Sequence, residues 1–153
     1  MSDVRIRAAV AADQLAIRQM VRDEHLDPSA LDWSHFLVAE ENGEIAGIGQ
    51  IRPYPKCREL GSLVVKAPYR GTGVGALLVN ALLERELSDV YLECQIKNES
   101  YYNRFGFRRV TWYQTPPPLK YKAFIGSVLL RVLGIHIIAM KYDHVRQNTR
   151  DEV

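Results

Sequence analysis

The stretch "KAPYRGTGVGALL", Lys66 to Leu78, constrains this chain more than any other. It follows a β-rich run, "CRELGSLVV", and leads into Val74, Leu77, Leu78, Ala81 and Leu82 at helical spacing, so it is a strand-to-helix turn. Glycine stands at 71, 73 and 75. Three glycines at the start of a helix cost stability, because glycine has the most backbone freedom to lose. What they permit is close approach to the backbone and angles closed to other residues. A helix N-terminus offers unpaired N–H groups and the positive end of the helix dipole, so this loop is built to receive a phosphate. The amides from Arg70 through Gly71, Thr72, Gly73, Val74 and Gly75 to Ala76 are the expected cradle, with the Arg70 side chain as additional charge.

Two kinds of phosphate site fit poorly. A nucleoside-triphosphate loop needs Lys and then Ser or Thr after its last glycine, and here Ala76 and Leu77 follow Gly75. The dinucleotide pattern G-x-G-x-x-A is met by Gly71, Gly73 and Ala76, with Glu93 about 20 residues on. In that fold, however, the first glycine turns directly off the strand. Here Lys66 to Arg70, including Pro68, intervene, and a hairpin replaces the parallel half-sheet that should precede the loop.

The rest of the chain supplies a mixed α/β pattern. "VRIRAAV" alternates as a first strand, and the following helix carries Leu15, Ile17, Met20 and Val21 as its apolar stripe, with Asp13 near its start. "HFLVAEE" and "EIAGIGQIRPY" are strands joined by Asn42-Gly43, a strong hairpin signal, and so antiparallel. After the loop helix come a strand "DVYLECQI", a short helix from Asn98 to Gly106, a strand "FRRVTWY", a break at "TPPPLK", a helix "YKAFIGSVLLRVL" and a last strand "IHIIAMKY". A polar tail, 143–153, is expected to fray. Residues 1–142 read as a single domain, with no repeat or linker to divide them.

At "LVVKAPYRGTGVGALLVNALL" the sequence resembles the GNAT superfamily of acyl-CoA-dependent N-acyltransferases. The fingerprint of that superfamily is Arg or Gln, two residues, Gly, one residue, then Gly or Ala, met here by Arg70, Gly73 and Gly75, with Val65, Pro68 and Tyr69 at their usual places. "VRIRAAVAADQLAI", the Asn42-Gly43 hairpin and "YYNRFGFRRV" extend the resemblance from about Val4 to Val110. It implies an α+β fold with a mostly antiparallel sheet of six or seven strands and helices on both faces. It also implies acetyl-CoA as acyl donor, a primary amine as acceptor, and direct attack in a ternary complex. A cofactor-binding sensor that has lost turnover is the alternative, since fold alone does not prove function.

Acyl transfer to an amine needs a proton acceptor, donors for the developing oxyanion and a proton for the departing thiolate. By distance from the fingerprint, the resemblance assigns the acyl carbonyl and pantetheine arm to the amides of Leu63 and Val65, on a bulged strand with which Gly61 and Ser62 are compatible. Glu59 falls where several members keep a general base, and an amine with a pKa of about 10.4 needs one at neutral pH. Glu93, on the next strand, is the alternative, as is water. Tyr102, four residues before Gly106, matches the tyrosine placed beside the thioester sulfur as general acid, with Tyr101 as the lesser choice. Asn98 caps its helix or bonds the pantetheine.

Composition closes off other classes. A net charge of +2 does not make the basic stripe that nucleic acid requires. Cys57 and Cys94 are too few for a disulfide framework or a zinc site, and His25, His35, His136 and His144 lack ligand spacing, so no metal and a reducing cytoplasm are expected. Cys94 is expected to be buried and inert. The run Phe124 to Met140 is interrupted by Arg131, Gly134 and His136 and is expected to be core rather than membrane. The resemblance implies that the acceptor site is built from "DPSALDWSHF" and from the long connection containing Trp112, Tyr113, Tyr121 and Phe124, which lines a pocket or makes a homodimer contact.

Overall fold

The computed structural model describes residues 3–151, apart from the side chains at 123, 127 and 148–151. Seven strands form one sheet: β1 (Arg5–Ala8), β2 (Phe36–Glu41), β3 (Glu44–Tyr54), β4 (Cys57–Val65), β5 (Val90–Gln95), β6 (Arg108–Val110) and β7 (Ile137–Tyr142). Their order is β1-β2-β3-β4-β5-β7-β6. Pairing is antiparallel for β1/β2, β2/β3, β5/β7 and β6/β7, and parallel for β4/β5. The sheet is thus mixed and mostly antiparallel, as the sequence pattern requires. The helices are α1 (Gln14–Asp23), α2 (Val74–Glu84), α3 (Glu99–Asn103), α4 (Leu119–Arg131) and α5 (His144–Asp151).

The chain divides into two compact units, Met1–Arg52 with Leu60–Arg85, and Pro53–Glu59 with Glu86–Val153. In the first, the Asn42-Gly43 turn has φ of 52° and 80°, the positive pair that a two-residue hairpin loop demands. It closes the register Glu41↔Glu44. Ile17, Met20 and Val21 of α1 pack with Phe36, Val38, Ile48 and Val64. Leu15, expected on the same stripe, is exposed, because it stands two residues from Ile17, about 200° round α1 from the buried Ile17, Met20 and Val21 face. The Asp13 carboxylate accepts from Arg7 Nη1 at 2.7 Å and from the Val10 amide at 2.8 Å, tying β1 to the helix start.

Helix α2 sits low on β3 because Gly47 and Gly49 leave room for it. A Cβ at 47 would lie 3.0 Å from the Val64 carbonyl oxygen and 3.1 Å from Leu78, and one at 49 would lie 3.1 Å from Leu82. Those contacts are tighter than side chains normally make, so the two glycines set the helix-to-strand distance.

In the second unit β5 lies against β7 in the register Val90↔Tyr142 to Gln95↔Ile137. Two expectations change here. The segment from 144 is not frayed: α5 follows Asp143, the His144 amide donates to Asp89 Oδ1 at 3.2 Å, and the Gln147 side chain covers Gly106. The run from Phe124 to Met140 is core only at its strand end, where Ala139 and Met140 are buried. Its helical part is exposed at Phe124, Ile125, Val128 and Leu129, while Leu119, at the start of α4, is buried.

Candidate active site

Burial along β4 changes phase midway: Cys57 and Glu59 are buried, and the alternation then resumes one residue early at Leu60, Ser62 and Val64. Ser62 has φ of 50°, a left-handed angle rare within a strand. This is the irregularity that the Gly61-Ser62 pair allows, and Leu63 and Val65 follow it directly. Around it lies a polar cluster that sequence reasoning missed. Ser62 Oγ receives Gln50 Nε2 and Arg52 Nη2, each at 3.0 Å. Arg52 also meets Asp27 at 3.7 Å, and a Cβ at residue 61 would come within 2.9 Å of its Nη1. All three polar side chains are buried. The only sequence signal was alternation of polar Gln50 and Arg52 on an otherwise apolar strand.

The loop after β4 makes a 3-10 turn, Ala67–Tyr69, then opens α2 with Gly73 as its cap. Gly71 and Gly73 have φ of 77° and 93°, and Cβ atoms there would meet nothing within 4 Å. The protein therefore needs glycine there for its backbone angles, and the space beside the loop is open. The first helical bond into this turn is Leu77 N to Gly73 O at 3.0 Å, and no side chain caps α2. The amides of Val74, Gly75 and Ala76 are N-terminal groups without intrahelical partners. Arg70 is engaged with the protein: its Nε donates to the Val65 carbonyl at 3.0 Å and its Nη2 to Glu24. Beside this segment, α1 and residues 25–31 enclose a cavity of about 670 Å³ lined by Arg18, Arg22, His25 and Leu31.

In the second unit Glu59 is only 5% exposed and stands in register with Tyr91. It is not a surface carboxylate, and it has interaction partners of its own. Alternation along β5 puts Tyr91, Glu93 and Gln95 on the face shared with Glu59, and Val90, Leu92 and Cys94 on the other. Tyr102 belongs to the Cys94 face. Burial pushes its phenol well above the ordinary tyrosine value, with Cys94 and Tyr101 adding to the effect. Its ring stands edge-on to Tyr101 at 5.1 Å and to Phe107 at 6.0 Å. Cys94 is buried, 3.9 Å from the Met140 sulfur, and burial lifts its thiol to about 11, which makes it inert at neutral pH. Asn98 occupies the cap of α3 without a side-chain capping bond and is exposed. Among the described residues no group of three or more His, Cys, Asp or Glu is placed to hold a metal.

The Acetyltransferase (GNAT) family matches over residues 8–107, and the chain belongs to that family. No sequence relative is found among curated proteins. Solved structures share the fold. N-acetylglutamate synthase from Neisseria gonorrhoeae, complexed with coenzyme A and N-acetyl-glutamate, superposes with a TM-score of 0.75 at 18% identity over 94% of this chain. The chain spans 35% of that synthase. Rv2747 from Mycobacterium tuberculosis, in complex with CoA, gives 0.71 at 18% identity, covering 91% of this chain and 98% of that one. The ribosomal-protein-S18-alanine N-acetyltransferase from Escherichia coli gives 0.64 at 16%, covering 92% and 93%.

Proposed function

We propose that the chain is an N-acetyltransferase that takes its acetyl group from acetyl-CoA and passes it to a primary amine. The observation that carries this reading is the start of α2, where two left-handed glycines, Gly71 and Gly73, leave uncapped helix amides facing open space. A pyrophosphate fits such a site by charge and by geometry. The amides from Arg70 to Ala76 would hold it, and those of Leu63 and Val65, after the Ser62 irregularity, would take the acyl carbonyl and pantetheine arm.

Glu59 is proposed as the base and Tyr102 as the acid. In amine attack on a thioester the C–N bond forms as the C–S bond breaks, the ammonium proton leaves toward a base, and the thiolate takes a proton from an acid. Those two transfers occur on different sides of the carbonyl carbon. Support for the base comes from the burial of Glu59, 5% exposed on β4 just before Leu63, and support for the acid from the enclosure of Tyr102. Burial keeps the Tyr102 phenol protonated, so its proton is in place when the thiolate departs. Titration calorimetry with acetyl-CoA tests the reading. Micromolar affinity is expected, and absence of binding at sub-millimolar concentration would refute it.

A further inference from the structure

Helix α4 carries an apolar stripe that faces solvent. Tyr121, Phe124, Ile125, Val128, Leu129 and Val132 recur at intervals of three and four residues, and each is exposed; Ile125, Leu129 and Val132 reach 66%, 68% and 85%. At 3.6 residues per turn they occupy an arc of roughly 140°. Lys120 and Arg131 flank the arc on one side and Lys122 on the other. Trp112 and Tyr113, in the turn before α4, are exposed as well, with Trp112 5.4 Å from Phe124 and Lys120 5.8 Å above the Trp112 ring. A soluble-side helix has the opposite arrangement, polar outward and apolar inward.

Charge adds a second, independent observation. From Ser100 to Tyr142 the sequence has seven Lys or Arg and no Asp or Glu; Arg109 pairs with Glu99 and Lys141 with Asp89 and Asp143, and Lys122 donates to Tyr54, so the positive charge of the α4 region rests on Arg104, Arg108, Lys120 and Arg131. An overall charge of +2 conceals this local excess.

We infer that the α4 face docks on the surface of an anionic lipid bilayer. The apolar arc would lie at the boundary between headgroups and acyl chains, the indole and phenol of Trp112 and Tyr113 at headgroup level, and Lys120 and Arg131 among lipid phosphates, while Lys122 is held by Tyr54 at 2.9 Å. With 13 residues α4 is about 20 Å long, short of the roughly 30 Å hydrocarbon core, so it lies on the surface rather than crossing it. No helix among the described residues is long and apolar enough to span. A second copy of the chain is a poorer occupant. Two-fold pairing of this face would bring Lys120, Lys122 and Arg131 against their own copies, with no acid on the helix to answer them.

Co-sedimentation of the full chain with vesicles tests the inference. The protein should pellet with vesicles containing phosphatidylglycerol, stay in solution with pure phosphatidylcholine, and be released at about 0.5 M salt, where surface charges are screened. The double variant I125E/L129E should lose at least tenfold in vesicle affinity, and K120E/R131E should lose the dependence on phosphatidylglycerol. Ile125, Leu129 and Arg131 face solvent and Lys120 is half-buried beside Trp112, and circular dichroism with unchanged acetyl-CoA affinity shows that each variant remains folded. No binding to phosphatidylglycerol vesicles overturns the inference. So does a dimer in sedimentation equilibrium that I125E/L129E dissociates, which assigns the face to a second copy.

Discussion

Arg52 Nη2 donates to Ser62 Oγ at 3.0 Å, joining a buried guanidinium to the one residue at which β4 turns left-handed. Gln50 donates to the same oxygen, so one serine hydroxyl answers two enclosed side chains from β3. Substituting Ser62 separates the hydroxyl from the backbone angle. Ser62→Ala removes the acceptor and keeps the strain, and should cost about 1–3 kcal/mol in urea unfolding. Ser62→Gly removes the acceptor but relieves the left-handed angle, and should cost less by about 1 kcal/mol. Equal losses, or a larger one for glycine, would contradict this account of the irregular strand.

Gly73→Ala should separate folding from ligand binding. A methyl at residue 73 meets no protein atom within 4 Å, so the fold bears only the strain of φ at 93°, about 1–2 kcal/mol. Acetyl-CoA affinity should fall at least tenfold, measured by calorimetry on protein shown to be folded. Retained affinity would move the phosphate site away from this loop.

Tyr102→Phe should lower kcat about 100-fold with little change in KM for acetyl-CoA, the size usual for a lost general acid. The pH profile gives a sharper test. Burial raises the Tyr102 phenol above its ordinary value of about 10, so the wild type keeps this proton throughout the neutral and mildly alkaline range. Activity in thiol-release assays should therefore show no descending limb from this group below about pH 10. A limb near pH 9 that vanishes in the phenylalanine variant would overturn the effect of burial on Tyr102, and an unchanged kcat in that variant would exclude it as the acid.

Asp13→Asn should make the protein less sensitive to acid. Arg7 holds the Asp13 carboxyl below the usual carboxylate range through its hydrogen bonds, helped by the Val10 amide. A carboxyl depressed in the folded state stabilises fully above its unfolded value of about 3.9, and that stability is lost as pH falls through the folded value. At pH 7 the variant should be less stable by about 1–3 kcal/mol. The gap should close below about pH 4. A difference that stays constant from pH 7 to pH 3 would show that Asp13 acts through shape rather than charge.

The elements legible in the sequence were those with local chemistry. Asn42-Gly43, the glycine loop and the alternation of β5 each state their geometry within a few residues, and the structure follows them. The irregularity at Ser62 was half visible, since Gly61 marks a weak strand but says nothing of Arg52 lying over it. The errors share a cause as well. Leu15 and the Phe124–Leu133 run are apolar, and burial was inferred from apolarity alone. Which face of a helix finds a partner depends on contacts distant in sequence, and hydrophobic spacing does not report them. Asn98 failed differently: it has the right residue type at the right position for a cap, yet its side chain makes no capping bond. Glu59 and Tyr102 are proposed from resemblance alone, because a carboxylate and a phenol carry no periodic signature.

Gly47 and Gly49 have a consequence for anyone who would move the glycine loop to another scaffold. The loop and α2 are contiguous, but the depth at which α2 rests is written in β3, more than twenty residues upstream of the helix. A transplanted segment from Lys66 to Glu84 would arrive without its seat, and on a strand bearing side chains its amides would be carried outward from where they belong. The transferable unit is the glycine strand together with the helix it admits.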